Sequence, residues 1–548
     1  MTPRKIAAFV ACACLFLGAC GSRVAPLPGT QLANGQLGTT GGGTGQVPGA
    51  SGVPTPGATT GRGGIVEPPS SILKPGCKGG ATDQGVTSST LKLGLIASLT
   101  GPLPGQFDSE VEAVDSYFRA INDAGGICGR KIILEIRDDN GNGTTNLNLA
   151  SKMATEDHIF AFVGSVSAPD DSGIATVAAD VNHKYGGPYP DLGFPLTWKR
   201  TESPTNFSVP GAVQHDVTGE GASGTKWLNQ QFGIKQVAIF WLRESEVSVL
   251  SAWGFEAADI KAKLSSDGKS SGLTICHEQP AGVLDSYYGN YVSSMLADCD
   301  PANGPIAIYT TMENNANIKL ANALQQGSVT LCKKVGQKDC MVFAPTFSSY
   351  LPSFITGARA HATEGAFIAM PQIPFERLSQ PQSSWTPGTY ELQRYYSTLL
   401  RYYPRPHPPG SFGAPGWGSA DLFAQAAAKC GAALTRSCVL NNLRTWPPYT
   451  DSGFLSPNKP GDHTIYHADL LVQVQNGQFT EVNPQLKSGP SGAPDFWDDS
   501  KLFDWGIFWW CHQDLFPQSA NADKHKLVYA GRKYQVTAAQ CAASNHQT

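Results

Sequence analysis

Charge is scarce in this chain. Only 15% of its 548 residues are Asp, Glu, Lys or Arg, and the net charge is -4. Nucleic acid binding needs a basic surface that displaces counterions from phosphates, so this composition argues against nucleic acid as a partner. Beyond the first 20 residues, no apolar run approaches the roughly 20 residues that cross a membrane. Because 41% of the residues are hydrophobic, we expect most of the chain to be globular, in two or three domains.

Motifs for metal binding and catalysis are also missing. The 13 cysteines form no C-x-x-C and no Cys/His cluster with zinc spacing. His277-Glu278 lacks the second histidine of H-E-x-x-H, and the eleven histidines are dispersed. Asp138–Asn142 resembles half of a calcium loop, but no glutamate stands at the twelfth position. We therefore expect no metal, no cofactor and no enzymatic activity.

The first 20 residues have the pattern of a secretory signal. Arg4 and Lys5 precede an apolar stretch over residues 6–17, and a small-residue site ends at Cys20. The ending L-G-A-C is similar to the bacterial lipobox, which implies lipidation of Cys20 and anchoring outside the cytoplasmic membrane. A plain signal peptide is the alternative. Residues 21–75 are rich in Gly, Thr, Pro and Ser, which is typical of a flexible tether.

An α/β pattern starts near residue 90. Leu91–Ala97 has the apolar run of a buried strand, apolar residues at helical spacing follow over residues 111–121, and Lys131–Ile136 is a second strand. Strand, helix and strand at this spacing predict a βαβ unit and a parallel sheet. A second series of strands and helices begins after residue 209, which indicates a second lobe.

The amino-acid sequence of this βαβ unit resembles that of a known family. Three strings carry the resemblance: S-L-T-G-P at Ser98–Pro102, I-N-x-A-G-G-I-x-G-R-K at Ile121–Lys131, and D-D at Asp138-Asp139. Together they are similar to the type I periplasmic binding proteins, in the branch of the Leu/Ile/Val-binding proteins and other solute receptors of ABC importers.

The resemblance implies an α/β fold of two Rossmann-like lobes with parallel central sheets and a hinge of three crossovers, near residues 209, 345 and 449. Lobe 1 would comprise 76–209 and 345–448, including a strand at Gly365–Met370. Lobe 2 would comprise 210–344 and 449–485. Residues 486–548 exceed the family pattern, and their many aromatic residues predict a segment that packs on a lobe or, alternatively, docks another protein.

Ten cysteines remain after the signal segment and Cys20. An even number in an exported protein favours disulfides. Neighbours along the chain are the simplest pairs, which predicts the bridges Cys77–Cys128, Cys276–Cys299, Cys332–Cys340, Cys430–Cys438 and Cys511–Cys541.

Candidate ligand-binding residues follow the predicted strands, because ligands of parallel sheets bind outside the carboxyl ends of the strands. The resemblance gives Ser165, Ser167 and Thr197 the role of holding a carboxylate, and Trp417 the role of an aromatic wall. Ordinary helix caps and a core aromatic residue are the alternatives. The full set of candidates is Ser98, Thr100, Ser165, Ser167, Thr197, Trp198, Arg243, Glu244, Thr311, Thr346 and Trp417.

One position departs from the amino-acid receptors of the family. They carry an acidic residue after the strand that ends here at Ala344, whereas this chain has Pro345-Thr346-Phe347. Glu244 or Glu313 could replace that carboxylate from neighbouring loops, and Arg243 would suit an acid. The predicted solute is therefore an amino acid, an organic acid or an amide.

The sequence as a whole predicts a monomeric, lipid-anchored receptor on the outer face of the bacterial cytoplasmic membrane. It would bind a small molecule by closure of two lobes and deliver it to an ABC permease. A ligand sensor or an envelope interaction protein that uses the same fold or the C-terminal aromatic segment is the alternative.

Overall fold

The computed structural model describes residues 70–74, 76–201, 203–209, 223–249, 251–252, 274–462 and 469–482. Several predictions fall outside these residues: the signal segment 1–20 with Cys20, nearly all of the tether 21–75, and the segment 486–548 with Cys511 and Cys541.

The first lobe is built on a four-stranded parallel sheet. Its strands are β1 (Thr90–Ala97), β2 (Lys131–Asp138), β3 (Ala161–Val163) and β4 (Asp191–Leu192), in the spatial order β2-β1-β3-β4. Strand β1 pairs in parallel with both β2 and β3. This interior position explains its nearly continuous apolar sequence, since a strand inside a parallel sheet is covered on both faces.

Helices cover both faces of this sheet. Helix Asp108–Asp123 connects β1 to β2, which confirms the predicted βαβ unit. Helices Gly143–Thr155 and Ser172–Ala179 pack on the other face in a separate apolar cluster with Ile96 and Phe162. The first helix buries the apolar residues that helical spacing predicted, namely Val111, Val114, Tyr117, Phe118 and Ile121.

The second lobe repeats this arrangement. Strands β5 (Gln236–Leu242), β6 (Thr274–Ala281), β7 (Ile306–Thr310) and β8 (Val342–Ala344) form a parallel sheet in the order β6-β5-β7-β8. The accompanying helices in the described residues are Ser223–Phe232, Gly289–Asp298 and Asn314–Gln326. The predicted α/β fold of two parallel sheets is thus confirmed.

A third, antiparallel sheet corrects one prediction. Strands β9 (Phe367–Met370), β10 (Leu470–Gln475) and β11 (Gln478–Glu481) pair in the order β11-β10-β9. The prediction that residues 365–370 return to the first lobe is wrong, because β9 pairs with the hairpin of the second lobe. Its Phe367 ring lies 5.6 Å from that of Phe232 in the second-lobe helix.

The helices after β9 pack on the first lobe, as expected. Helices Pro387–Tyr402 and Gly413–Cys430 both contact helix Asp108–Asp123, and the rings of Phe118 and Phe423 lie 6.2 Å apart. The remaining short helices are Ser70–Leu73, Trp198–Thr201, Pro352–Thr356 and Arg436–Arg444.

These assignments move the second crossing between the lobes. It lies between β9 and helix Pro387–Tyr402 instead of near residue 345, and the third lies between helix Arg436–Arg444 and β10. The sequence alone did not show the position of the second crossing, because strand β9 is hydrogen-bonded to residues about 100 positions later in the chain.

The crossing segments lie side by side and are hydrogen-bonded to one another. The backbone N–H of Ser456 donates to the carbonyl of Pro371 at 2.8 Å. The side-chain amide of Asn458 donates to the carbonyl of Ser208 at 2.8 Å. Paired segments of this kind resist shear but still permit rotation of one lobe against the other.

Four of the predicted disulfides are present. Cys77–Cys128, Cys276–Cys299, Cys332–Cys340 and Cys430–Cys438 are bonded, with Cα–Cα distances from 4.7 to 6.1 Å. The fifth predicted pair, Cys511–Cys541, lies outside the described residues. Each observed bridge joins cysteines that are consecutive in the chain, which is why the simplest pairing was correct.

A carboxyl group beside the second crossing makes stability depend on pH. The Tyr350 hydroxyl donates to Glu376 at 2.6 Å, and burial raises the pKa of Glu376 from 4.5 to about 7. The folded chain therefore holds this proton over a pH range in which the unfolded chain has lost it. The free energy of unfolding should fall as pH rises from about 5 to 7.5, by on the order of 1–3 kcal/mol.

The measurement is urea unfolding of the wild type and of Glu376→Gln at several pH values. The glutamine variant stays neutral, so its stability relative to the wild type should increase with pH. Glu156→Gln, at an exposed position, is the control and should follow the wild-type curve. Parallel curves for Glu376→Gln and the wild type would contradict the prediction.

Candidate functional site

A cavity of about 490 Å³ lies where the carboxyl ends of the two parallel sheets face each other. Loops after β1, β3 and β4 line it from the first lobe, and loops after β5, β6, β7 and β8 line it from the second. This is the position at which ligands of open parallel sheets bind, and the volume suits a small-molecule ligand.

The first-lobe wall of this cavity is apolar. Phe107, Phe194 and Phe412 pack against one another, with ring centroids 4.9 Å apart for Phe107 and Phe412 and 5.6 Å for Phe194 and Phe412. Phe347 of the second lobe joins them at 5.9 Å from Phe194. We call these four residues the aromatic cluster. The same wall also contains Pro102, Leu103, Pro169 and Leu196.

The charged part of the lining lies on the second lobe. Arg243 donates to both carboxylate oxygens of Asp285 at 3.0 Å and also pairs with Glu244 at 3.2 Å. Burial opposes ionisation of Asp285, but hydrogen bonds from Tyr291 and Gly282 and the charge of Arg243 outweigh it and lower its pKa. The guanidinium is thus matched by two carboxylates.

Glu313 is the third acidic residue of the lining. It caps helix Asn314–Gln326 by accepting hydrogen bonds from the backbone N–H groups of Asn315 and Ala316 at 2.5 and 2.7 Å. Burial raises its pKa in spite of these bonds. Both carboxylate oxygens therefore bond the helix terminus, and the structural role of Glu313 is that of a cap.

Hydroxyl groups of the second lobe are used within the protein. Ser248 donates to the carbonyl of Thr311 at 2.6 Å, and Thr311 donates back to the carbonyl of Ser248 at 2.7 Å. Thr346 donates to the carbonyl of Met312 at 2.5 Å. These bonds hold the loops after β5, β7 and β8 together and so fix the shape of the wall.

Four of the predicted ligand-binding residues line the cavity: Arg243, Glu244, Thr311 and Thr346. The other seven do not. Ser98 and Thr100 donate to Asp139 and Asp138 at 2.7 and 2.6 Å and so secure the turn after β1.

Ser165, Ser167 and Thr197 are likewise committed to internal contacts. Ser165 accepts from the backbone N–H of Ile96 at 3.1 Å, and Ser167 lies 3.5 Å from the carbonyl of the same residue. Thr197 donates to Asp171 at 2.5 Å. All three are buried away from the cavity lining. Hydroxyl groups at strand ends readily form hydrogen bonds within the protein. In this structure these three hydroxyls do so instead of lining the cavity.

The two tryptophans are core residues. Trp417 is 1% exposed, contacts the rings of Tyr117 and Tyr395, and donates to Glu391 at 2.8 Å. Trp198 packs in the apolar cluster of the second sheet. The expected aromatic wall exists, but Phe107, Phe194, Phe347 and Phe412 supply it.

Sequence reasoning missed these aromatic residues. Phe347 stands in the loop that directly follows the strand ending at Ala344, a position that could have identified it. Phe107 stands ten residues after β1, immediately before helix Asp108–Asp123, and no strand end indicated it. Phe412 lies just before helix Gly413–Cys430, about 200 residues from Phe194, and only the tertiary packing brings it to the site.

The described residues contain no cluster of His, Cys, Asp and Glu that could hold a metal ion. Among those same residues, no helix is long and apolar enough to span a bilayer. One G-x-S-x-G string, at 268–272, precedes β6 and lies outside the described residues. The nucleophile elbow with that motif follows a strand instead.

The chain has the architecture of a bilobal ligand-binding protein. Its two α/β lobes are built on parallel sheets, three adjacent segments cross between them, and the cavity lies between the strand ends. A family model described as periplasmic binding protein matches residues 90–478. The chain belongs to this family, in its type I, Leu/Ile/Val-binding branch, which comprises solute-binding proteins and not enzymes.

Curated relatives agree with this family assignment. The chain is 24% identical to Leu/Ile/Val-binding protein homolog 7 of Brucella abortus over 251 residues, which is 44% of this chain and 57% of the relative. It is 34% identical to Leu/Ile/Val-binding protein BraC3 of Rhizobium johnstonii over 91 residues, or 17% and 23% of the two chains. The match thus spans little more than half the length of the first relative.

Solved structures show the same fold. A fatty acid ABC transporter substrate-binding protein from Thermomonospora curvata is 20% identical, with a TM-score of 0.56 over 74% of this chain and 94% of that one. The isoleucine complex of the branched-chain amino acid transporter protein LivJ from Streptococcus pneumoniae is 15% identical, with a TM-score of 0.54 over 72% and 100%.

Proposed function

We propose that this chain is an extracytoplasmic solute receptor of an ABC importer, which captures its solute in the cavity between the lobes. The observation that carries the proposal is the cavity of about 490 Å³ at the carboxyl ends of both sheets. The names of the relatives support it, because they describe binding proteins for branched-chain amino acids and a substrate-binding protein of a fatty acid transporter.

The mechanism we propose is rotation of the lobes about the three crossing segments. An open form admits the solute, and contacts from both walls then stabilise a closed form that a permease recognises. Phe194 and Phe347 lie 5.9 Å apart across the two walls, so they are placed to close over a solute. A near-complete shift between the forms requires about 5.5 kcal/mol of preferential binding to the closed one.

The cellular setting belongs to the same proposal. A lipid anchor at Cys20 would hold a monomeric receptor on the outer face of the cytoplasmic membrane, within reach of its permease. If the lipid on Cys20 carries two acyl chains, its insertion into the membrane is strong enough for stable anchoring.

A solute screen on the purified full chain tests the receptor function. Amino acids, organic acids, amides and aliphatic alcohols would each be assayed by thermal unfolding, with the radius of gyration measured by X-ray scattering. One class should stabilise the chain, by about 2.7 kcal/mol at 100 times its Kd, and should also reduce the radius of gyration.

Val247→Trp is the blocking variant, since Val247 is a partly buried residue of the lining. A bulky side chain there should weaken binding at least about tenfold by occupying solute volume. Val181→Trp is the control, because Val181 is 77% exposed and outside the lining. Binding that survives Val247→Trp unchanged, or stabilisation by none of the classes, would refute the receptor proposal. Binding without a change in the radius of gyration would refute the closure mechanism.

A further inference from the structure

The charges of the cavity do not suit an amino acid. A zwitterion needs a donor set for its carboxylate, and the hydroxyls of Ser165, Ser167 and Thr197 lie outside the lining, committed to other partners. The carboxylate would instead face the aromatic cluster, where an ion loses its hydration without compensation.

An anionic solute is disfavoured at the opposite wall as well. Arg243 is engaged there by Asp285 and Glu244, so a further carboxylate would meet two negative charges for one positive charge. Apolar atoms dominate the rest of the lining, and they favour a solute that removes apolar surface from water.

We infer that the solute of the proposed receptor is an uncharged, mainly apolar molecule. This inference rests on the proposed receptor function and names its substrate class. Aliphatic alcohols, sterols and uncharged lipid-like molecules belong to that class, whereas free amino acids and carboxylates do not.

A matched series of ligands tests the charge requirement on the wild-type full chain. Displacement of the uncharged dye Nile red would be measured with 1-decanol, decanoate, undecane and L-leucine. 1-Decanol should displace the dye at a concentration at least tenfold lower than decanoate, and L-leucine should not displace it at 1 mM.

The same titrations separate this inference from the receptor proposal. If L-leucine or decanoate binds more tightly than 1-decanol and reduces the radius of gyration, the receptor function stands and the solute class is wrong. If 1-decanol binds in the cavity without any change in radius, the class stands and the closure mechanism is wrong. Displacement by none of the four ligands would overturn the solute class.

Discussion

Replacing Arg200 with methionine is expected to lower the free energy of unfolding by about 3–5 kcal/mol, the usual consequence of removing one partner from a buried ion pair. Arg200 is fully buried and bonds Asp191 through two nitrogens, at 2.7 and 2.9 Å. It also pairs with Asp171 at 3.1 Å. Methionine would leave two buried carboxylates without their cation.

Chemical unfolding in urea measures this effect. Arg401→Met is the matched control, because Arg401 pairs with Asp123 at 2.8 Å on the surface, with 43% of its side chain exposed. That variant should lose only about 0–1 kcal/mol. If the two variants lost the same stability, the argument from burial would be wrong.

Arg200 also connects stability to the site. It donates to the carbonyl of Phe194 at 3.3 Å, and its partner Asp171 accepts from the backbone N–H of Leu196 at 2.7 Å. These bonds hold the loop after β4, which presents Phe194 and Leu196 to the cavity. A variant that weakens them should therefore impair solute binding even where the chain remains folded.

Removing the Cys77–Cys128 bridge by a double substitution to alanine should destabilise the chain by about 4 kcal/mol. The bridge closes a loop with a sequence separation of 51, and the loop entropy that it removes from the unfolded state grows with the logarithm of loop length. The Cys430–Cys438 bridge, with a separation of 8, should contribute only about 2.5 kcal/mol by the same relation.

Urea unfolding of the two double-alanine variants, without reductant, measures the difference. The variants remove equal numbers of sulfur atoms, which makes each a control for the other. A larger loss for the Cys430→Ala, Cys438→Ala variant than for the Cys77→Ala, Cys128→Ala variant would show that local packing, and not loop length, decides the contribution of these bridges.

The sequence by itself determined the features that arise from neighbouring residues. The period of Val111, Val114 and Ile121 defines a helix face, and the run Leu91–Ala97 defines a buried strand, so the parallel α/β lobes were predictable. The bonded cysteines are consecutive in the chain, so their pairing was predictable too. The strings around Ser98 and Ile121 identified the family.

Only the tertiary structure decided the partners of strand β9 and the composition of the cavity wall. Strand β9 joins the second lobe through hydrogen bonds to β10, about 100 residues later, and Phe412 meets Phe194 from a distant part of the chain. The hydroxyls of Ser165 and Thr197 could bond a solute or the protein, and their residue types do not distinguish the two. Such choices depend on contacts between residues far apart in sequence, and local periodicity contains no information about them.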